Sequence, residues 1–159
     1  MKKMSIIFLK FVLVLFGLLA LFILIRFPLT EGRAENLDWI SIYSDPFILY
    51  GYAVSIVFFV ALLKAFRLLG YIGKNELYTQ NALKALRTIK FCGIILSLSI
   101  VLAGIFIVIF HHEDDDPAGF LGLCIVATFI SVVMATALAV LEKILQNVIE
   151  MKSENDLTI

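Results

Sequence analysis

The chain has 159 residues, 62% of them apolar and 16% charged, and its formal net charge is zero. A soluble domain is about 45–50% apolar and about 25% charged, whereas the mean hydropathy here is +1.03. One globule of this size cannot hide so much apolar surface; the excess faces lipid, which excludes a soluble enzyme, a disordered regulator and a disulfide-stapled scaffold.

Four apolar runs are long enough for a hydrocarbon core that needs about 20 helical residues. The first extends over about 5–27 and contains FVLVLFGLLALFILI. Lys2 and Lys3 before it resemble a signal peptide, but Arg26 and Pro28 follow the run and no small-x-small cleavage site lies at its edge, so it reads as an uncleaved anchor. The second run, 47–63, is the shortest, and Asp45-Pro46 introduces it. Asp caps free N–H groups and Pro at the first helical position loses no needed donor.

The segment 64–90 reads as a basic loop of net charge +5, in which Gly70 and Gly73 end an apparent extension of the second span. From Asn75 onward the spacing predicts a helix with Ala82, Leu83, Leu86 and Ile89 on one side and Lys84 and Arg87 on another. Such a basic amphipathic segment lies against anionic headgroups or docks a partner. The third run is 91–110. His111, His112 and Glu113 open the acidic turn that follows, with Asp114, Asp115 and Asp116; they are the weak candidates for a metal site, against a solvated turn that ends one helix and caps the next. Asp116-Pro117 then introduces the fourth run, about 119–141.

Ala127, Ser131, Ala135 and Ala139 recur every four residues in that run, a small-residue face that lets helices approach closely in lipid. It serves packing within the chain or between copies in a homo-oligomer. Gly93 with Ser97, and Gly51 with Ser55, are shorter versions. The tail 142–159 continues the apolar period through Ile144, Leu145, Val148 and Ile149 and ends in polar KSENDLTI.

Charge orients these spans. With the N-terminus inside, 11 of the 13 Lys and Arg residues are cytoplasmic and only Arg26 and Arg33 are outside, as the positive-inside rule requires. The fold expected is an all-α integral membrane bundle of four transmembrane helices, a single membrane domain over 1–159 with both termini cytoplasmic.

Spans two to four hold no ionisable Asp, Glu, Lys, Arg or His, and the first holds Lys10 and, at its far end, Arg26. Ion and proton pathways normally need an intramembrane ionisable residue, which argues against coupled transport by this chain alone. Cys92 and Cys124 differ in depth by roughly 20 Å at helical rise, beyond the reach of a disulfide, and there is no CxxC. No catalytic residue, cofactor or direct nucleic-acid contact is expected.

KAFRLLGYIGKNELYTQNALKALRTIKFC, EDDDPAG and LEKILQNVIEMKSENDLTI together resemble a bacterial membrane family catalogued as domain of unknown function 2975. The resemblance covers about Lys10 to Ile159 and is most specific in the tail. It implies a four-helix protein of the cytoplasmic membrane with no assigned reaction, and a regulatory partnership with a small helix-turn-helix transcription regulator. The function expected is therefore a non-enzymatic membrane sensor or docking partner; the alternative is an accessory subunit of a transporter or channel. Lys84, Arg87 and Lys90, with Glu154, Asn155 and Asp156 of the acidic tail, are the candidate docking residues.

Overall fold

A computed structural model describes residues 2–30, 39–110 and 116–156. They form five helices: α1 (Lys2–Thr30), α2 (Trp39–Tyr43), α3 (Pro46–Gly73), α4 (Gln80–Phe110) and α5 (Ala118–Asp156). All except the short α2 are long and apolar enough to cross a membrane. Helices are the solution because lipid offers the backbone no partner, so each segment satisfies its own N–H and C=O groups.

The four long helices stand in a row in chain order. α1 packs on α3, α3 on α4, and α4 on α5, the most extensive of these interfaces. Each pair is antiparallel. Along α4 and α5, Gly104 meets Cys124, Gly93 meets Ala135, Arg87 meets Glu142, and Leu83 meets Leu145. Along α1 and α3, Leu24 meets Tyr52, Gly17 meets Leu62, and Ile6 meets Gly73.

The Asp-Pro starts form as their chemistry dictates. Asp45 Oδ1 accepts from the Phe47 N–H at 2.7 Å, with Pro46 in the first helical position. Asp116 Oδ1 accepts from the Ala118 N–H at 3.0 Å.

The extension of the second span is helical as far as Gly73, ten residues past Leu63, and Gly70 lies within it. Asn75 closes it: its φ of 58° is left-handed, its N–H reaches the Ile72 carbonyl, and the Glu76 N–H reaches the Tyr71 carbonyl. That pair of bonds is the Schellman closure, which Asn tolerates almost as Gly does. The next helix starts at Gln80 rather than Asn75, because Thr79 caps it by accepting from the Ala82 N–H at 3.3 Å. The tail is likewise helical as far as Asp156.

Pro28 lies inside α1 and is fully buried. Lacking an N–H, it leaves the Leu24 carbonyl one turn earlier without its helical donor. The Tyr52 hydroxyl of α3 donates to that carbonyl at 3.1 Å. A defect that α1 cannot repair within itself is thus met from its neighbour, and it fixes the register of the two helices.

Candidate functional site: the basic head

At about 1.5 Å per residue, α5 with its 39 residues is far longer than a hydrocarbon core of about 30 Å. The Asp-Pro turns hold one end, so the excess of α3, α4 and α5 collects at the other. There the helices form a three-helix head comprising 64–73, 80–90 and 142–156.

Burial is distributed accordingly. In the apolar segments the large side chains point outward: Phe16, Ile56, Leu102 and Phe129 are each more than half exposed. In the head, Leu83, Leu86 and Leu145 are buried together, with Leu68, Leu77, Leu138 and Ile149 packed around them. Ala82 and Ala85 allow the close approach and are buried as well. Water drives leucines into a core, whereas lipid tails provide no such drive between helices. The head is therefore the part of the chain built for water.

One carboxylate lies beside this core. Glu142 follows the fourth apolar run directly and is only 8% exposed. Its Oε1 accepts from Arg87 Nε at 2.8 Å. Lys90 Nζ stands 2.6 Å from Oε2, a close ammonium–carboxylate contact. Lys90 foremost, then Arg87, hold the Glu142 carboxyl below its ordinary pKa, against the upward push of burial. Arg87 keeps about half its side chain in the open. Lys90 also rests over the Phe91 ring, 4.9 Å from its centre. On the other flank of the head, Lys10 of α1 lies over Phe66 at 5.0 Å, so this charge of the first span reaches the basic end.

The candidate docking residues separate into two groups. Arg87 and Lys90 are tied to Glu142, and Lys84 points outward. Glu154 and Asn155 are exposed on the last turns of α5, as far along the axis from Glu142 as 12 residues carry them, about 18 Å. α5 continues as helix through both of them, and the carboxylate that pairs with Arg87 and Lys90 is that of Glu142. Glu142 was the residue that sequence reasoning missed. A usable signal existed: Leu138, Glu142, Leu145 and Ile149 share one helical stripe, which puts a carboxylate among inward leucines.

The small-residue face divides too. Ala135 is buried, 3.6 Å from where a Cβ on Gly93 would stand. Ala127 and Ser131 are half-buried and Ala139 points outward. Cys92 and Cys124 are both free thiols. His111, His112 and Glu113 lie outside the described residues; among the described ones no three His, Cys, Asp or Glu side chains converge.

The comparisons agree with this picture of a membrane protein. Residues 29–159 match the model of the family described as "Protein of unknown function (DUF2975)". The uncharacterized membrane protein YoaS of Bacillus subtilis (strain 168) is 38% identical to the chain over the full length of both. No solved structure matches. With a family model covering most of its length and a full-length relative of this likeness, the chain belongs to the DUF2975 family of membrane proteins.

Proposed function

We propose that the chain is a non-enzymatic multi-pass protein of the bacterial cytoplasmic membrane, with both termini inside. Its basic head is a docking surface for a cytoplasmic protein such as a small helix-turn-helix regulator. The observation that carries this reading is a second apolar stripe on α5. Leu145 and Ile149 point into the head, but Ile144 and Met151 point out of it, 55% and 57% exposed, with Val148 half-buried between them. Along a helix that leaves the membrane, a contiguous outward apolar stripe marks an interaction site. Exposed Lys143 and Lys152, with Glu150 and Glu154, give it a rim of mixed charge, which suits an apolar surface with a charged polar rim. The polar cluster of the head is one carboxylate held by two cations, with no nucleophile and base facing a cavity among the described residues; this supports a binding role over a catalytic one.

The second reading is an accessory subunit of a transporter or channel. What favours it is the open row, whose edge helix α1 turns most of its apolar side chains outward and offers a face to another polytopic protein.

Affinity purification in mild detergent separates the two. The wild type is expected to retain a soluble DNA-binding protein that the paired substitution Ile144→Asp and Met151→Asp releases, with membrane insertion unchanged. A polytopic partner kept equally by both forms contradicts docking at the head and supports the accessory role.

A further inference from the structure

The basic end of the bundle carries cations of two kinds. Arg87 and Lys90 are answered by Glu142. Lys10 of α1 and Arg67 of α3, on the other flank, have no carboxylate within 4.0 Å among the described residues.

Helix contacts bring these two cations to one place. The Lys10 ammonium lies over the Phe66 ring, 5.0 Å from its centre. It is also the atom nearest to where a Cβ on Gly70 would stand, at 4.0 Å. Arg67 precedes Gly70 by three residues on the same helix, so the two positions are neighbours on its surface, about 5–6 Å apart. Lys10 thus crosses from α1 onto α3 beside Arg67, over a stretch of helix that Gly70 leaves bare.

The surroundings of the pair face lipid. On α1, Ile7, Phe8 and Phe11 are each more than half exposed. On α3, Ile56, Val60, Leu63 and Arg67 follow at spacings of four, three and four, which is one helical stripe. Ile56 and Leu63 are more than half exposed, and Arg67 is exposed as well. The outward stripe therefore changes from hydrocarbon to cation at Arg67, which marks where the bilayer surface meets α3. Cations set among lipid-facing side chains need an anionic partner. A soluble acidic protein does not reach them, because α1 carries its apolar surface past Lys10 through Phe8 and Ile7. A phospholipid phosphate does: it lies at the boundary of the hydrocarbon, and Lys and Arg rise to that level along their own apolar stems.

We propose that Lys10 and Arg67 bind the phosphate of one anionic phospholipid in the leaflet at the basic end, with its acyl chains along the Leu63–Ile56 stripe of α3. Charge-assisted hydrogen bonds from the ammonium and the guanidinium hold the phosphate oxygens. Basic pockets between membrane helices select anionic headgroups in this way. A zwitterionic lipid is the poorer ligand, since its choline or ethanolamine group brings a third positive charge to two cations that share no carboxylate.

The test uses the full-length protein in mild detergent, mixed with equal amounts of phosphatidylglycerol and phosphatidylcholine and weighed by native mass spectrometry. The wild type is expected to retain phosphatidylglycerol in preference by about tenfold or more, as two cations near a bilayer surface provide. The paired substitution Lys10→Gln and Arg67→Gln is expected to abolish that preference. Lys84→Gln with Lys152→Gln removes the same charge from exposed positions of the head and is expected to keep it. Gly70→Leu retains every charge but fills the place of the Lys10 ammonium. It is expected to lower the preference severalfold while holding the thermal midpoint, because leucine is the better helix former. If the paired variant fails to fold, Gly70→Leu still decides. A wild type that retains the two lipids equally overturns the proposal. So does an unchanged preference in either folded site variant. Loss of the preference in the Lys84 and Lys152 variant overturns it too, by showing a diffuse attraction in place of a site.

Discussion

Tyr52 and Pro28 make a pair whose worth is measurable because each defines the other's role. The Leu24 carbonyl lacks its helical donor only because residue 28 is proline, and the Tyr52 hydroxyl supplies the replacement. Removing that donor inside the bilayer leaves a buried acceptor unpaired, at about 1–3 kcal/mol. Tyr52→Phe should lower the thermal midpoint in detergent, and Pro28→Ala should abolish most of that loss, because an alanine N–H restores the helical bond. Equal losses in both backgrounds would show that the contact carries no coupling. Glu142 gives a second test at this scale. Glu142→Ala strands Lys90, whose side chain is 20% exposed, and Arg87, which is already half in solvent. Both cations can turn to water, so the cost is expected near the low end of about 1–3 kcal/mol. Because the folded carboxyl titrates below its ordinary value, its contribution is fully present above about pH 4.3, the ordinary Glu value, and is lost as the pH falls through the depressed folded value. The wild type should therefore lose stability on acidification in this range more steeply than Glu142→Gln; identical pH profiles would show that Glu142 is not held ionised by its neighbours.

At the scale of the element, the α4–α5 interface shows what pattern reading captures and what it does not. The four-residue spacing of Ala127, Ser131, Ala135 and Ala139 was legible as a close-packing face, and Ala135 does meet Gly93. The spacing drifts around a 3.6-residue helix, however, so that by Ala139 the face has turned outward. Ala135→Leu should destabilise by about 1–3 kcal/mol through overpacking, read as a lower thermal midpoint, whereas Ala139→Leu should leave it unchanged. Equal effects would mean that the interface is loose. Helix ends were harder to foresee. The two Asp-Pro starts were readable because both residues act locally. The end of α3 was readable only in part, because Gly70 is a local breaker, yet the helix continues past it to Gly73 and closes at the left-handed Asn75. What carries it that far is burial of Leu68 against Leu83 and Leu86, a tertiary gain that no local signal records.

The whole molecule is explained by two solvents acting on one set of helices. In lipid, the spans leave their Leu, Ile and Phe residues outward and touch through Gly, Ala and Cys; beyond it, the same helices close over a leucine core. The four spans were readable because apolar runs of this length have no other stable use. The head was not, since its core is assembled from three segments separated in sequence, each too short alone to show where its leucines would meet. The central claim is that the head stands in water on the cytoplasmic side of the membrane. Its most direct test is labelling with a membrane-impermeant maleimide, in a background in which Cys92 and Cys124 are replaced by alanine. Ser44→Cys, at the Asp-Pro end, should react in intact cells, and Lys143→Cys, on the head, only after the cells are opened. Reaction of Lys143→Cys in intact cells would contradict the orientation, and its failure to react in opened membranes would contradict a head that stands in water.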